Sequence, residues 1–372
     1  MQLYKLKELY SITSGLSKPA SQFGYGNPFL SFSIVFNNYH IPSLLIDLVN
    51  TSPLEIKRFS IKRGDVFVTR TSEKLDELGK SCVALQDYEK ATFNGFCKRL
   101  RPIVNESIIL PEYAQYLFRS KQFTNQIIYS CPMSTRASLN EEILNTIVLN
   151  IHSLSEQRHI VDIIGSIDDK IKNNNKIIDK LDQLLILKLK NLKIVNSGLQ
   201  FKDIFKLQNG FAFKSKEYLK YGDYKIITIK NVKNIGFSTI GCDYVEYNPN
   251  YKKYKLNIGD VLLTMTGEVG RVGIVDEINC LLNQRVLKVY NHSNSYTYAY
   301  LKSNYNTISS ISKGSVQQNL STTDLNCLNI YHSINDITNF KKYDLLFDKI
   351  LKLKQENIKL NKLKQLYLAK FF

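Results

Sequence analysis

Gly79-Lys80-Ser81 has the residues that end a phosphate-binding loop, where backbone amides and a lysine cradle nucleotide phosphates. The earlier glycine of such a loop would stand at position 74, which is Lys74, so no nucleotide site is expected. Gly267, Gly270 and Gly273 lie between two strand-like stretches, which suits a hairpin better than a strand-to-helix phosphate cradle. Methyl transfer to an amino group needs an Asn/Asp-Pro-Pro-aromatic elbow beside a glycine-rich cofactor loop, and Asn27-Pro28-Phe29 and Asn248-Pro249-Asn250-Tyr251 each lack the second proline. Asp47, Glu55 and Lys57 have the order of an acidic cluster that holds Mg²⁺ beside a lysine. So loose a triple arises by chance in a highly charged chain, but it defines the alternative function, a self-contained metal-dependent DNA nuclease or related DNA-modifying enzyme. His40, His152, His159, His292 and His332 show neither triad nor metal spacing, and most of them read as surface or capping residues. Cys82, Cys97, Cys131, Cys242, Cys280 and Cys327 stand singly without C-x-x-C, so reduced thiols are expected and zinc is not.

Binding chemistry is better represented. Gln208 to Lys216 interleaves amides, aromatics and lysines, with Asn209, Lys214 and Lys216 as candidates, and its counterpart at 14–21 carries Lys18. A second segment supplies Lys313, Gln317 and Gln318, and its counterpart at 133–136 supplies Arg136. Arg70, Lys74 and Lys80 lie near one strand-like stretch, and Arg271, Gln284 and Arg285 near another. Amides and guanidinium groups suit base edges, and lysines suit phosphates.

These candidates recur because the chain is written twice. Ile61 to Thr71 reads as a Gly-Asp turn and an alternating strand ending in Thr-x-Thr, and Leu256 to Thr266 repeats that plan 195 residues later. Gly15 matches Gly210 at the same offset, Tyr25-Gly26 and Phe36-Asn37-Asn38 match Tyr221-Gly222 and Val232-Lys233-Asn234 at 196, and Leu139, Leu144, Asn145 and Ile147 match Leu320, Leu325, Asn326 and Leu328 at 181. Strands are expected at 31–36, 65–69, 224–230, 260–265, 271–275 and 285–290, and helices at 111–129 and 297–308.

Each half ends in a long helical pattern. Ser153 and Glu156 form a capping box, after which apolar residues at 160, 164, 167, 171, 178, 181 and 185 make a heptad seam with Asn174 in the place of an apolar residue. In the second half Leu346, Leu353, Leu360, Leu363 and Tyr367 correspond at 182, and Glu356 takes the polar gap. A polar seam residue costs stability and fixes register, so Asn174 and Glu356 are register candidates. A helix over about 156–192 is roughly 55 Å long, too long for one small core, so the two helices are expected to pair antiparallel. The fold expected is α+β, with two repeated mixed α/β domains joined by two long antiparallel helices as a coiled-coil spacer. The boundaries read as a first domain at 1–152, a first spacer helix region at 153–197, a second domain at 198–336 and a second spacer helix region at 337–372.

Composition names the partner. The 372 residues include 50 Lys plus Arg against 33 Asp plus Glu, a formal charge of +17, which calls for a polyanion. Only ten of the 50 are Arg and Trp is absent, so a lysine-rich chain from an AT-rich genome is the alternative source of that charge, with nucleic acid the favoured reading. No run of 18 apolar residues and no signal-peptide pattern occurs, which points away from a membrane and towards nucleic acid in the cytoplasm.

The ordered set Phe205 to Ser215, Leu256 to Gly267, and Gly314 to Ser321 before a long helix resembles the specificity subunit of type I restriction-modification enzymes. Leu154-Ser155-Glu156-Gln157-Arg158-His159-Ile160-Val161 is similar to the usual beginning of that family's first conserved helix. The resemblance covers essentially the whole chain. It implies two target recognition domains, each reading half of a bipartite site on double-stranded DNA, with the paired helices as a ruler. It also implies a subunit that has no catalytic residues and binds no cofactor. In that family two methyltransferase (modification) subunits bring S-adenosylmethionine, and restriction/translocase subunits use ATP and Mg²⁺. The first half departs from the pattern at Ser17-Lys18-Pro19, and the second lacks Glu-Gln-Arg at the start of its helix, having Ile337-Thr338-Asn339-Phe340-Lys341. A paired-helix scaffold with no DNA role is the remaining rival.

Overall fold

The computed structural model describes residues 1–72, 77–131, 137–233, 236–314 and 318–372. They divide into two compact units, Met1–Asp169 with Asn361–Phe372, and Lys170–Leu360. The first is built on an antiparallel sheet of β1 (Tyr10–Ser14), β2 (Val66–Thr69), β3 (Ser81–Val83) and β4 (Cys97–Pro102) in the order β1-β4-β2-β3. The second uses β5 (Lys206–Asn209), β6 (Val261–Thr264), β7 (Val272–Ile274) and β8 (Val286–Tyr290) in the order β5-β8-β6-β7. The duplication read from the sequence is therefore a duplicated sheet.

Both faces of each sheet are covered, which is why β2 and β6 are apolar at nearly every position. Successive side chains go to opposite faces. Val66 and Val68 join a core with Tyr113, Leu117 and Ile127 of α1 (Pro111–Leu117) and α2 (Lys121–Ser130). Phe67 points the other way, to Val35, Phe93 and Cys97. In the second unit Val261 and Leu263 pack on the far side from Leu262 in the same manner. The Gly-Asp turns before these strands are closed by their aspartates, Asp65 accepting from the Lys62 amide and Asp260 from the Asn257 amide, both at 2.8 Å.

Four expectations change, one of them at 224–230, where the strand ends at Ile227 and Ile229–Asn231 is a 3₁₀ turn. Ser31 to Phe36 is not a strand, because Phe32–Asn37 is helical. Phe32 and Phe36 stack at 6.0 Å at helical spacing and Val35 is fully buried, so tertiary packing overrides the alternation. The segment 111–129 is two helices, broken where the Ser120 hydroxyl accepts from the Phe123 amide to start α2. The segment 297–308 likewise divides at Asn304 into α4 (Asn294–Ser303) and a helix at Tyr305–Ser310.

The first long helix, written α3 with its position between α2 and α4, runs over Leu154–Lys190, and the second, α5, over Asp344–Phe371. Ser153 and Glu156 cap α3 reciprocally. The second half has a quieter version of this start, with the Ser333 hydroxyl accepting from the Asp336 amide. That short helix (Ile334–Asn339) gives way to a 3₁₀ turn before α5 begins at Asp344. Inside the second unit the two helices run antiparallel, Asn174 meeting Glu356 and Lys188 lying over the Tyr343 ring. Inside the first unit Asp168 meets Lys364, and the His152 ring lies against Phe372.

Candidate nucleic-acid interface

One edge of each sheet gathers the loops that carry the candidates. In the second unit the Phe211 amide donates to the Leu282 carbonyl (2.8 Å), and the Gln284 amide donates back to Phe211 (2.9 Å). The Met265 amide donates to Arg285 (3.1 Å), and the Leu320 amide donates to Met265 (2.8 Å). These bonds bring the glycine loop, the turn before β8, the end of β6 and the segment at 318–320 side by side. Between them lies a cleft of ≈ 440 Å³ lined by Met265, Thr266, Gln284, Arg285 and Asn319.

The first unit repeats these bonds one for one. Leu16 donates to Phe93 (2.9 Å), Gly95 to Leu16 (2.8 Å), Arg70 to Phe96 (2.9 Å) and Leu139 to Arg70 (2.7 Å). Gly15 and Gly210 hold equivalent close approaches. A Cβ on Gly15 would stand 2.1 Å from the Asn94 carbonyl oxygen, and one on Gly210 would stand 2.2 Å from that of Asn283. Only glycine fits, because the neighbouring atoms are backbone and cannot swing away.

The candidates separate on this frame. Asn209, Lys214, Lys216, Gln284, Arg285 and Gln318 are exposed in the second unit. Lys313 is exposed but paired with Asp324 at 3.0 Å, which holds the Asp324 carboxyl below its usual range. Arg271 turns elsewhere. It pairs with Glu268 and lines a separate cleft with Lys302 and Tyr305, and its Nε is buried without a hydrogen-bond partner. In the first unit Lys18 is half-buried and paired with Glu55 at 2.8 Å. Arg70 takes the place of Met265, with its Nε also buried and unpartnered. Lys80 takes the place of Arg271, since the Thr69 amide donates to the Lys80 carbonyl (2.9 Å) as the Thr264 amide donates to that of Arg271 (3.0 Å). Lys74, Arg136 and Gln317 lie outside the described residues.

The nuclease reading finds no support. Glu55 caps the helix Pro53–Arg58 through the Ser52 amide and is held below the usual carboxylate range by its bond from Lys18. Among the described residues no group of three His, Cys, Asp or Glu side chains could hold a metal ion. Two of the five histidines are structural. His152 Nδ1 meets the Tyr113 hydroxyl at 2.8 Å, and His332 Nδ1 meets that of Tyr296 at 3.0 Å. Burial holds both imidazoles below the usual histidine value.

The register candidates meet inside the second unit. Asn174, 1% exposed, donates to Glu356 and to Asn357, each at 2.9 Å, and Asn357 donates to Asn175 at 2.8 Å. The seam of α5 differs from the expected one, because Leu363 is 40% exposed and Lys364 is 6% exposed. The Lys364 ammonium bonds both Asp168 oxygens (2.7 and 2.8 Å) over the Tyr39 ring, so its aliphatic stem fills the seam and its charge is matched. Burial still holds that ammonium below the usual lysine value.

Phe96 on the edge of the first unit was not singled out from the sequence. Its signal is an offset of 189 that sets Asn94-Gly95-Phe96 against Asn283-Gln284-Arg285, hidden because the segment before it differs in length between the two halves.

Among solved structures, the type I restriction-modification system S subunit from M. genitalium is similar to this chain at 14% identity and a TM-score of 0.57, covering 100% of this chain and 96% of that one. At that identity the likeness concerns the fold. The HsdS subunit from Thermoanaerobacter tengcongensis is matched at 17% identity over 99% of this chain and 95% of that one, with a TM-score of 0.37. The type I restriction modification DNA specificity domain matches twice, over residues 1–183 and 199–365. With that domain accounting for both copies of the sheet, the chain belongs to the type I restriction-modification DNA specificity family and is a DNA specificity subunit.

Proposed function

We propose that each unit reads one half of a bipartite double-stranded DNA target through the sheet edge described above. The observation that carries this is the repeated set of backbone bonds, which presents polar and cationic side chains at one edge of each copy. Exposed Lys214 and Lys216 supply the salt-sensitive phosphate contacts, and Asn209, Gln284, Arg285 and Gln318 face base edges. Lys18, Arg70, Lys80, Arg271 and Lys313 act behind them, because each is paired or partly buried.

In this reading the chain is non-catalytic and binds no cofactor. It works in the cytoplasm with two methyltransferase subunits that bring S-adenosylmethionine and with restriction/translocase subunits that use ATP and Mg²⁺. Among the described residues no helix is long and apolar enough to cross a membrane. Helix length sets the number of unread base pairs between half-sites, with Asn174 and Glu356 keeping register. The test is co-expression with a cognate methyltransferase and single-molecule mapping of methylated bases. A bipartite motif with a fixed gap is expected, and a continuous motif overturns the reading. Inserting four residues beside Asn174 and four beside Glu356 lengthens each helix by about 6 Å, and the gap should change. An unchanged gap removes the ruler.

A further inference from the structure

We propose that Phe96 and Arg285 occupy the same base-reading position in the two half-sites, with Phe96 selecting thymine by its 5-methyl group where Arg285 selects guanine. This rests on the proposal that these edges face DNA. The two residues sit on one and the same turn. The Phe96 amide donates to the Asn94 side-chain oxygen at 2.7 Å, as the Arg285 amide does to Asn283 at 3.3 Å. The Cys97 amide donates to the Asn94 carbonyl at 3.0 Å and the Val286 amide to that of Asn283 at 2.9 Å. The carbonyls of Phe96 and Arg285 accept from the amides of Arg70 and Met265, which follow equivalent strands. The backbone is thus the same, and only the side chain it presents has changed.

Phe96 is 60% exposed, whereas Phe29, Phe67 and Phe93 of the same unit are almost entirely buried. An apolar ring at the tip of a turn gains nothing from water and contributes nothing to the core of its own unit. Arginine at this position can make the bidentate contact to guanine O6 and N7. Phenylalanine has no donor to offer, and the one apolar feature on a base-pair edge in the major groove is the thymine methyl. The exchange therefore changes which base is preferred while leaving the presentation of the side chain unaltered.

The experiment selects duplexes from a random pool with the full chain in complex with its methyltransferase. It then measures affinity for the selected duplex with each thymine replaced in turn by deoxyuridine, which removes only the methyl. For the unaltered chain, one replacement in one half-site should weaken binding about fourfold, the worth of one buried methyl group. Phe96→Ala should bind the thymine and deoxyuridine duplexes equally and keep the melting temperature of the parent. Phe96→Arg should shift the selected base at that position towards guanine, and Arg285→Ala should relax the other half-site alone.

Three results overturn the proposal. If no thymine position distinguishes the parent chain from Phe96→Ala, thymine is not read by Phe96. If Phe96→Ala weakens all sequences alike and methyl removal is neutral, the ring is a wedge between base steps. If the complex selects no sequence at all, the assignment of these edges to DNA fails together with this inference.

Discussion

The turn at Asn94–Cys97 and the turn at Asn283–Val286 have matching hydrogen bonds and opposite chemistry at their tips, an exposed phenylalanine on one and an exposed arginine on the other. The difference extends along both edges. In the second unit Lys214 and Lys216 stand exposed, whereas their counterpart region in the first offers Lys18, already paired with Glu55. Duplication has kept the backbone that presents side chains and released the side chains that are presented. A sheet edge of this kind can change what it reads without repacking its core, because the turn is fixed by main-chain bonds and by a glycine beneath it.

The comparison breaks most severely at the shared backbone. Gly15→Val and Gly210→Val each force a side chain into carbonyl groups about 2 Å away, and each should cost about 3 kcal/mol in urea denaturation. Each variant should lose its own half of the methylated motif and retain the other. Equal loss of both halves would show that the units do not read independently.

The units also differ on their helix seams, which gives the next largest effect. Lys364→Ala leaves the Asp168 carboxylate without its cation and should cost about 2 kcal/mol, less than a fully buried pair because Asp168 is partly exposed. Lys364→Met keeps the stem and should cost less than Lys364→Ala. If the two are equal in chemical denaturation, the stem packing contributes nothing.

Charge at the edges ranks third. Removing Lys214 or Lys216 should lower the salt dependence of DNA binding by about 0.9 log unit per log unit of salt for each phosphate no longer neutralised. Lys18→Ala should change the slope less, since Glu55 already neutralises it. Equal slopes for the three variants would mean that the Lys18 pair opens on DNA.

The smallest effect is one the two units share. His152 and His332 are buried against tyrosines, and their folded values lie below the ordinary 6.5, so the unfolded chain takes up protons first as pH falls. Stability from these groups is complete above pH 6.5 and is lost as pH drops through that value towards the folded ones. His152→Gln with His332→Gln should flatten the melting temperature between pH 7 and pH 5.5. An unaltered slope there would assign it to other groups.

Much of this architecture is legible in the residues. The Gly-Asp turns at Gly64-Asp65 and Gly259-Asp260 and the apolar strands after them locate the equivalent sheets, because turn chemistry and strand alternation are local. Asn174 and Glu356 announce their meeting through a gap in a heptad, which is also local. Ser31 to Phe36 misleads for the complementary reason. It alternates like a strand, and it becomes a helix because Val35 and the stacked Phe32 and Phe36 find their partners from elsewhere in the chain. Lys364 is invisible as a seam residue for the same cause, since its burial depends on Asp168, 196 residues away.

The site divides along this line. By itself the sequence determined that there are two copies of one sheet plan, two long helices with a shared polar gap, and a cationic surplus with amide-rich loops, all of which follow from periodicity and composition. The tertiary structure alone decided which charges remain available. Lys18 is spent on a glutamate 37 residues away and Arg271 turns out of the edge. Phe96 is brought to the place of Arg285. Side-chain type is carried along the chain, but the partner that satisfies or exposes it is set by distances across the fold.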